Sequence, residues 1–444
     1  MSDTTDETDD DSMYGDEVES NYSEPDPFNC MAKEQTSVTP SGVDAWVKSV
    51  ANDTTGSNTP AGNSSGGFQV EEEAFAIRNA TEDIMTPANA FETHVGKFWL
   101  VYSTRAYMRA RFELAGPCLL ATGTLDGVQQ ALEHLLDMLK LSRSDNMGLR
   151  DIIPAIMLRL DQDRECYDFI RWWSVHDSPG DDLWADSDAP YLIPGGANIL
   201  SEPDFIDESF PSLDHLNVLL LLELRLVVDI RNLKICHKVL AASKLPEDLW
   251  RNIELATLRS PLSSLYQRLS PDALTTAGEV HLEHAQKLGS QLHRANSSFM
   301  FALFDPDEAL SRVVESYSFG SWEEMVLTLQ NSHAAWSGSE GVLDLLRDAR
   351  LCAALSSEDE MEDMMDTDTF RSGEGRDRTI EELLEDVSVN RLWGYLEDAY
   401  ANAYWLGPWS DRPSEQRREE ARRLWDEEDD DYFGYGTGDS DVED

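Results

Sequence analysis

The sequence predicts an all-α protein: an antiparallel helical-repeat array with disordered acidic tails at its N- and C-terminal ends. Three observations carry that expectation. The first is a run of three helix-patterned segments between Thr124 and Trp173. Leu125, Val128, Leu132, Leu135, Leu136 and Leu139 share one face of a 3.6-residue period. Leu149, Ile152, Ile153, Ile156 and Leu160 repeat the pattern, and Cys166, Phe169, Ile170 and Trp173 continue it. Helices of three to four turns with short connections pack antiparallel, as helical-repeat scaffolds do. The second observation is that no segment alternates apolar and polar residues as a half-buried strand would. The third is the distribution of a net charge of −51. Residues 1–32 hold eleven carboxylates, 356–368 hold seven and 426–444 hold ten, and none of these stretches contains Lys or Arg. Such blocks repel themselves and bury too little apolar area to offset backbone entropy, so they are expected to stay disordered.

Taken in order, residues 1–85 form a tail rich in Asp, Ser, Thr, Gly and Asn, with one apolar island at Val43, Trp46, Val47 and Val50. The helical-repeat domain spans 86–355. Thr86-Pro87 supplies a cap and first helical residue for a helix through Phe98, Tyr102 and Met108 to Leu120, with a break at Gly116-Pro117. Thr124 caps the next helix and Ser144 or Asp145 the third, which Pro154 should kink. The segment 174–211, with Trp184, Tyr191 and Phe205 among Asp, Pro and Gly, is too long for a bundle connection and reads as a packed surface loop or a lid. Ser212 caps a helix from Leu213 to Ala242 that is apolar on nearly every side and should be the most buried element. Further helices read at 246–259, 273–304, 306–315, 321–335 and 340–355. An acidic linker follows at 356–378. C-terminal helices over 379–425 pack back on the core through Leu383, Leu384, Trp393, Leu396 and Tyr400, and a disordered acidic tail occupies 426–444.

The composition also bounds function. The negative field disfavours nucleic acid and anionic membrane surfaces, and a protein partner, in particular a basic one, is its natural complement. The longest apolar run, Val218–Leu222, stops at Glu223, so neither a membrane span nor a signal core is expected. Cys30, Cys118, Cys166, Cys236 and Cys352 show no paired spacing, which removes a C-x-x-C zinc module and any disulfide framework; the chain reads as cytoplasmic or nuclear. There is no G-x-S-x-G elbow and no phosphate loop. His281-Leu282-Glu283-His284 matches neither H-E-x-x-H nor H-x-x-E-H and reads as a pair of surface histidines on a polar helix face. No catalytic, cofactor-binding or metal-ligating residue is assigned, no cofactor is expected, and the chain reads as a non-enzyme.

Four segments resemble an uncharacterised family of fungal proteins with a tetratricopeptide-like helical core. They are Thr86-Pro87-Ala88-Asn89-Ala90-Phe91-Glu92-Thr93, Tyr107-Met108-Arg109-Ala110-Arg111, Ser142-Arg143-Ser144-Asp145-Asn146-Met147-Gly148-Leu149-Arg150-Asp151 and Glu165-Cys166-Tyr167-Asp168-Phe169-Ile170-Arg171-Trp172-Trp173. A fainter echo lies at Gly320-Ser321-Trp322-Glu323-Glu324-Met325. Some members are labelled MYND-type zinc finger proteins, but that module needs a dense set of Cys and His ligands that this chain lacks. The resemblance implies a tetratricopeptide-like repeat fold and an interaction role. The expected function is therefore a scaffold or adaptor for protein–protein interactions, with a partner groove near 98–175 that includes Tyr107, Arg111, Arg150 and Trp172. Two alternatives stand beside it: an acidic chaperone or decoy for basic proteins acting through the tails, and an enzyme with a site assembled under the 174–211 loop. Ser356, Ser357 and Ser440 each precede an acid by three residues and are candidate phosphorylation sites.

Overall fold

The computed structural model describes residues 61–80, 87–176, 191–192, 195, 202–206, 212–314, 316–367 and 377–402. Every regular element among them is helical, and extended pairing is limited to one antiparallel bridge between Lys97 and Ser142. The expected tails over 1–60 and 403–444, including Ser440 and the helix expected at 413–425, lie outside the described residues.

Helix α1 (Ala61–Arg78) corrects the expectation of an unstructured segment up to residue 85. Its Val70, Ala74 and Ile77 recur at helical spacing and are buried, and the helix packs along α2 (Arg105–Glu113). Between them the single expected helix is broken up. Asn89 adopts a left-handed conformation (φ 53°) and starts a short helix, Ala90–Thr93, and 3₁₀ turns follow at Phe98–Leu100 and Tyr102–Thr104. After α2 the chain widens into a π-helical turn, Leu114–Leu119, where Pro117 has no N–H to continue the regular ladder.

The three patterned helices form where expected: α3 (Leu125–Leu141), α4 (Leu149–Arg159) and α5 (Asp163–His176). Thr124 caps α3 by accepting from Gly127 N at 3.1 Å. For α4 the N-cap is left-handed Gly148 (φ 68°), and Asp145 reaches over it to accept from Leu149 N at 2.8 Å and Arg150 N at 2.9 Å. Pro154 sits inside α4 without ending it. The aromatic residues described in the long loop lie against α5. Tyr191 packs edge-on to Trp172, and Phe205 edge-on to Tyr167.

Helix α6 (Leu213–Ala241) is the central element, with buried residues on all sides. It is followed by α7 (Glu247–Thr257), a 3₁₀ segment Pro261–Tyr266, and α8 (Pro271–Ala295), which makes the most extensive helix pair with α6. The helix expected over 273–304 breaks at Asn296, whose side chain accepts from Ser298 N and donates to Ser321 O. Two short helices follow, Phe299–Phe304 and Asp307–Ser311, the latter shorter than the helix expected over 306–315, and then α9 (Trp322–Gly338), which packs on α4, and α10 (Val342–Met365). Against α10 lie α11 (Ile380–Arg391) and α12 (Leu396–Asn402). The expected acidic linker thus starts later than its charge suggests. Met361 and Ser357 face inward, and Arg391 of α11 donates to Ser357 and pairs with Glu360 at 2.6 Å, which holds an acid-rich turn in helix. The C-terminal helices dock on α8, where Gly289 leaves no room for a Cβ against the Trp393 ring.

Candidate functional site

Glu223 stands in the middle of the most apolar helix and is only 2% exposed. An isolated carboxylate in such a place is strongly disfavoured, so its position depends on what faces it. Helix α8 supplies two imidazoles. His281 Nδ1 lies 2.5 Å from Glu223 Oε2, and His284 Nδ1 lies 3.5 Å from Glu223 Oε1. The three-residue spacing puts both rings on the face that also buries Leu282, Ala285 and Leu288. The expectation of surface histidines is therefore corrected: His281 is fully buried and His284 is 6% exposed. Tyr266, from the 3₁₀ segment, closes the far side with its hydroxyl 2.6 Å from His281 Nε2.

The electrostatics follow from this packing. Burial raises the Glu223 carboxyl, but His281 and His284 overcome it and hold its pKa below the ordinary value. Burial lowers the His284 imidazole, yet the Glu223 carboxylate, helped by Glu202, leaves it above the usual histidine value. Burial pushes the Tyr266 phenol far up, so it stays protonated. The cluster is incompletely satisfied: His284 Nδ1 is buried and makes no hydrogen bond. Its outer edge is roofed by a Glu202–Lys287 ion pair whose side chains are 54% and 36% exposed.

A second buried polar centre surrounds Arg225, two residues further along α6. Its guanidinium donates to Asp163 Oδ1 and Asp161 Oδ1 at 2.8 Å each, to Leu158 O at 3.1 Å and to Arg259 O at 3.2 Å. Ser260 Oγ donates to the other oxygen of Asp163. One turn on, Asp229 accepts from Arg259 N and Ser260 N at 2.9 Å, and burial pushes its carboxyl up to about 6. These groups tie α5, α6 and the Pro261 segment together.

The residues expected to line a partner groove are placed differently. Tyr107, Arg111 and Trp172 are buried. Arg111 donates to Tyr107 Oη and His134 Nδ1 at 3.1 Å each and pairs with Asp137 at 2.7 Å, joining α2 to α3. Trp172 is covered by Tyr191 and stacks on His176. Arg150 lies over the Trp173 ring at 5.4 Å. Tyr107, Arg111 and Trp172 act as joints between elements, and Arg150 is half-buried. Ser356 is exposed on α10, whereas Ser357 is fully buried beneath Arg391 and is corrected as a modification site. Sequence reasoning missed two exposed features. The segment before α9 leaves Val313 91% and Phe319 85% exposed, with Tyr317 and Trp322 beside them in sequence. A groove of about 480 Å³ lies where the end of α8 meets Trp393, lined by His293, Arg294 and Arg391. Among the protein families, curated proteins and solved structures compared with this chain, none matches it.

Proposed function

We propose that the chain is a non-enzymatic helical scaffold that binds protein partners. The observation that carries this reading is the apolar segment Leu310–Trp322. Val313 and Phe319 are almost fully exposed there, and Tyr317, Leu310 and Trp322 are partly so. Large apolar side chains this exposed and this close in sequence favour an interaction surface. The two ends of the stretch are tied to neighbouring helices. Gln330 donates to Ala309 O at 2.9 Å and Arg312 O at 2.7 Å, Asn296 donates to Ser321 O at 2.8 Å, and the Arg312 guanidinium lies over the Trp322 ring at 5.3 Å. Under this proposal the partner surface is 310–322, which differs from the expected groove near 98–175.

The tetratricopeptide-like reading draws support from α3, α4 and α5, which are consecutive, similar in length and packed on their sequence neighbours. The packing of α4 on α9, far along the chain, is an addition to such a ladder. Free thiols at Cys118, Cys166, Cys236 and Cys352 fit a reducing compartment, cytoplasmic or nuclear. The net charge of −51 favours basic partners.

Affinity capture with full-length protein beside Phe319→Ser and Val313→Asp variants tests the reading. Loss of a salt-resistant partner set in the variants supports it. Retention of the whole set in the variants, with release at moderate salt, points instead to an acidic chaperone or decoy working through the charged segments.

A further inference from the structure

We propose that Glu223, His281 and His284 form a binding site for a divalent transition-metal ion of the zinc class. This inference is independent of the interaction reading.

The donor set is the first argument. One carboxylate and two imidazoles from two packed helices offer ligand atoms that all lie within 4.8 Å of one another. Two histidines and a carboxylate are a common three-ligand set for zinc, with a fourth position left to water or another group. The second argument is the unfinished hydrogen bonding. His284 is 94% buried by its 6% exposure, and its Nδ1 faces Glu223 without a hydrogen bond. It stands at ion-pair distance from the Glu223 carboxylate, so the contact between them is electrostatic and leaves the ring nitrogen available as a ligand. The third argument is the outer arrangement. Metal-bound histidine almost always donates its other ring N–H to a fixed acceptor, which sets tautomer and ring orientation. Tyr266 Oη, 2.6 Å from His281 Nε2, occupies that position and leaves His281 Nδ1 turned toward Glu223.

The spacing is compatible. Tetrahedral bonds of about 2.0–2.2 Å set neighbouring ligand atoms roughly 3.2–3.6 Å apart. His284 Nδ1 and Glu223 Oε1 already stand at 3.5 Å. His281 Nδ1 and Glu223 Oε2, at 2.5 Å, share a hydrogen bond that must open by roughly 1 Å. As the metal takes Nδ1, His281 keeps its ring proton on Nε2, donated to Tyr266 Oη, and a proton held in excess of that one is released to solvent. The Glu202–Lys287 pair over His284 is exposed and marks the side from which an ion arrives.

Full-length protein titrated with Co²⁺ in place of zinc gives a direct readout, because low-coordinate nitrogen–oxygen sites absorb strongly in the visible region. Surface carboxylates hold the ion in six-coordinate, nearly colourless form. The expected result is one intense band saturating at one equivalent and displaced by Zn²⁺. His284→Gln should weaken binding at least 100-fold, and Tyr266→Phe, a change to a positioning residue, 10- to 100-fold. Glu202→Gln should leave the band in place. Wild-type protein without the band, or with a band unchanged in His284→Gln, overturns the proposal. The wild-type spectrum is decisive even where a variant fails to fold.

Discussion

Glu223 and Arg225 stand two residues apart on α6, so about 200° of helical rotation sends them to opposite sides of the same helix. Each is a buried charge, but the two surroundings differ in how completely they answer it. Arg225 is met by two aspartates and two carbonyls, and only its Nε makes no hydrogen bond. Glu223 meets two histidines, one hydrogen-bonded and one at an ion-pair distance of 3.5 Å. The more fully bonded centre links three elements and behaves as a joint. The incompletely bonded one has room for an exchange of ligand.

The sharpest way to break this comparison is to remove each charge. Arg225→Met leaves the carboxylate of Asp163 buried without its counter-ion, and should cost about 3–5 kcal/mol in urea unfolding. A loss below 1 kcal/mol would show that the joint is dispensable.

The two centres and their neighbours should also respond differently to pH. Burial pushes the His215 imidazole, which faces Arg150 O, down to about 4. The folded protein therefore binds fewer protons than the unfolded chain between about pH 6.5 and 4, and this group's contribution to stability is lost as pH falls through that window. Asp229 is opposite in sign. Its carboxyl is pushed up to about 6, so its contribution is present at low pH and lost as pH rises toward 6. Relative to wild type, His215→Gln should gain about 3 kcal/mol between pH 6.5 and 4, and Asp229→Asn about 3 kcal/mol between pH 4 and 6. Parallel stability–pH curves for wild type and variants would refute both assignments.

Smaller effects sharpen the contrast. Glu223→Gln keeps the shape and removes the buried charge, so metal-free protein should lose only about 1–3 kcal/mol, less than Arg225→Met. Gly289→Ala, away from both centres, forces a methyl group against Trp393 and should cost about 1–3 kcal/mol while exposing residues 377–402 to protease. Phe319→Ser should change stability by no more than about 0.5 kcal/mol, as expected of an exposed side chain.

Much of the fold was legible in the sequence because helical periodicity and caps are local signals. Thr124, Ser212, Ser270, Ser321 and Thr379 each accept from a backbone amide three residues on, and each opens a helix. Helix α1 was hidden because Gly62, Gly66 and Gly67 disfavour helix in isolation, and it forms where Val70, Ala74 and Ile77 find α2 to pack against. The acidic end of α10 was misread because charge counting ignores Arg391, which lies 31 residues beyond its partner Glu360. The histidine cluster had a signal that went unread: a lone Glu223 ending the run Val218–Leu222 demands a partner, and His281 lies 58 residues away. Pairing at that distance follows from helix packing, which periodicity alone does not specify.

The bond from the Arg231 guanidinium to Tyr400 O, 2.6 Å long, spans 169 residues of chain. At synthesis rates of roughly 5–20 residues per second, the C-terminal flank of α6 emerges from the ribosome about 8–34 s before its partner exists. During that interval the Arg231 guanidinium and the aliphatic surface beside it lack the Tyr400 cover, so nascent chains halted before residue 400 should expose this end of α6 to protease.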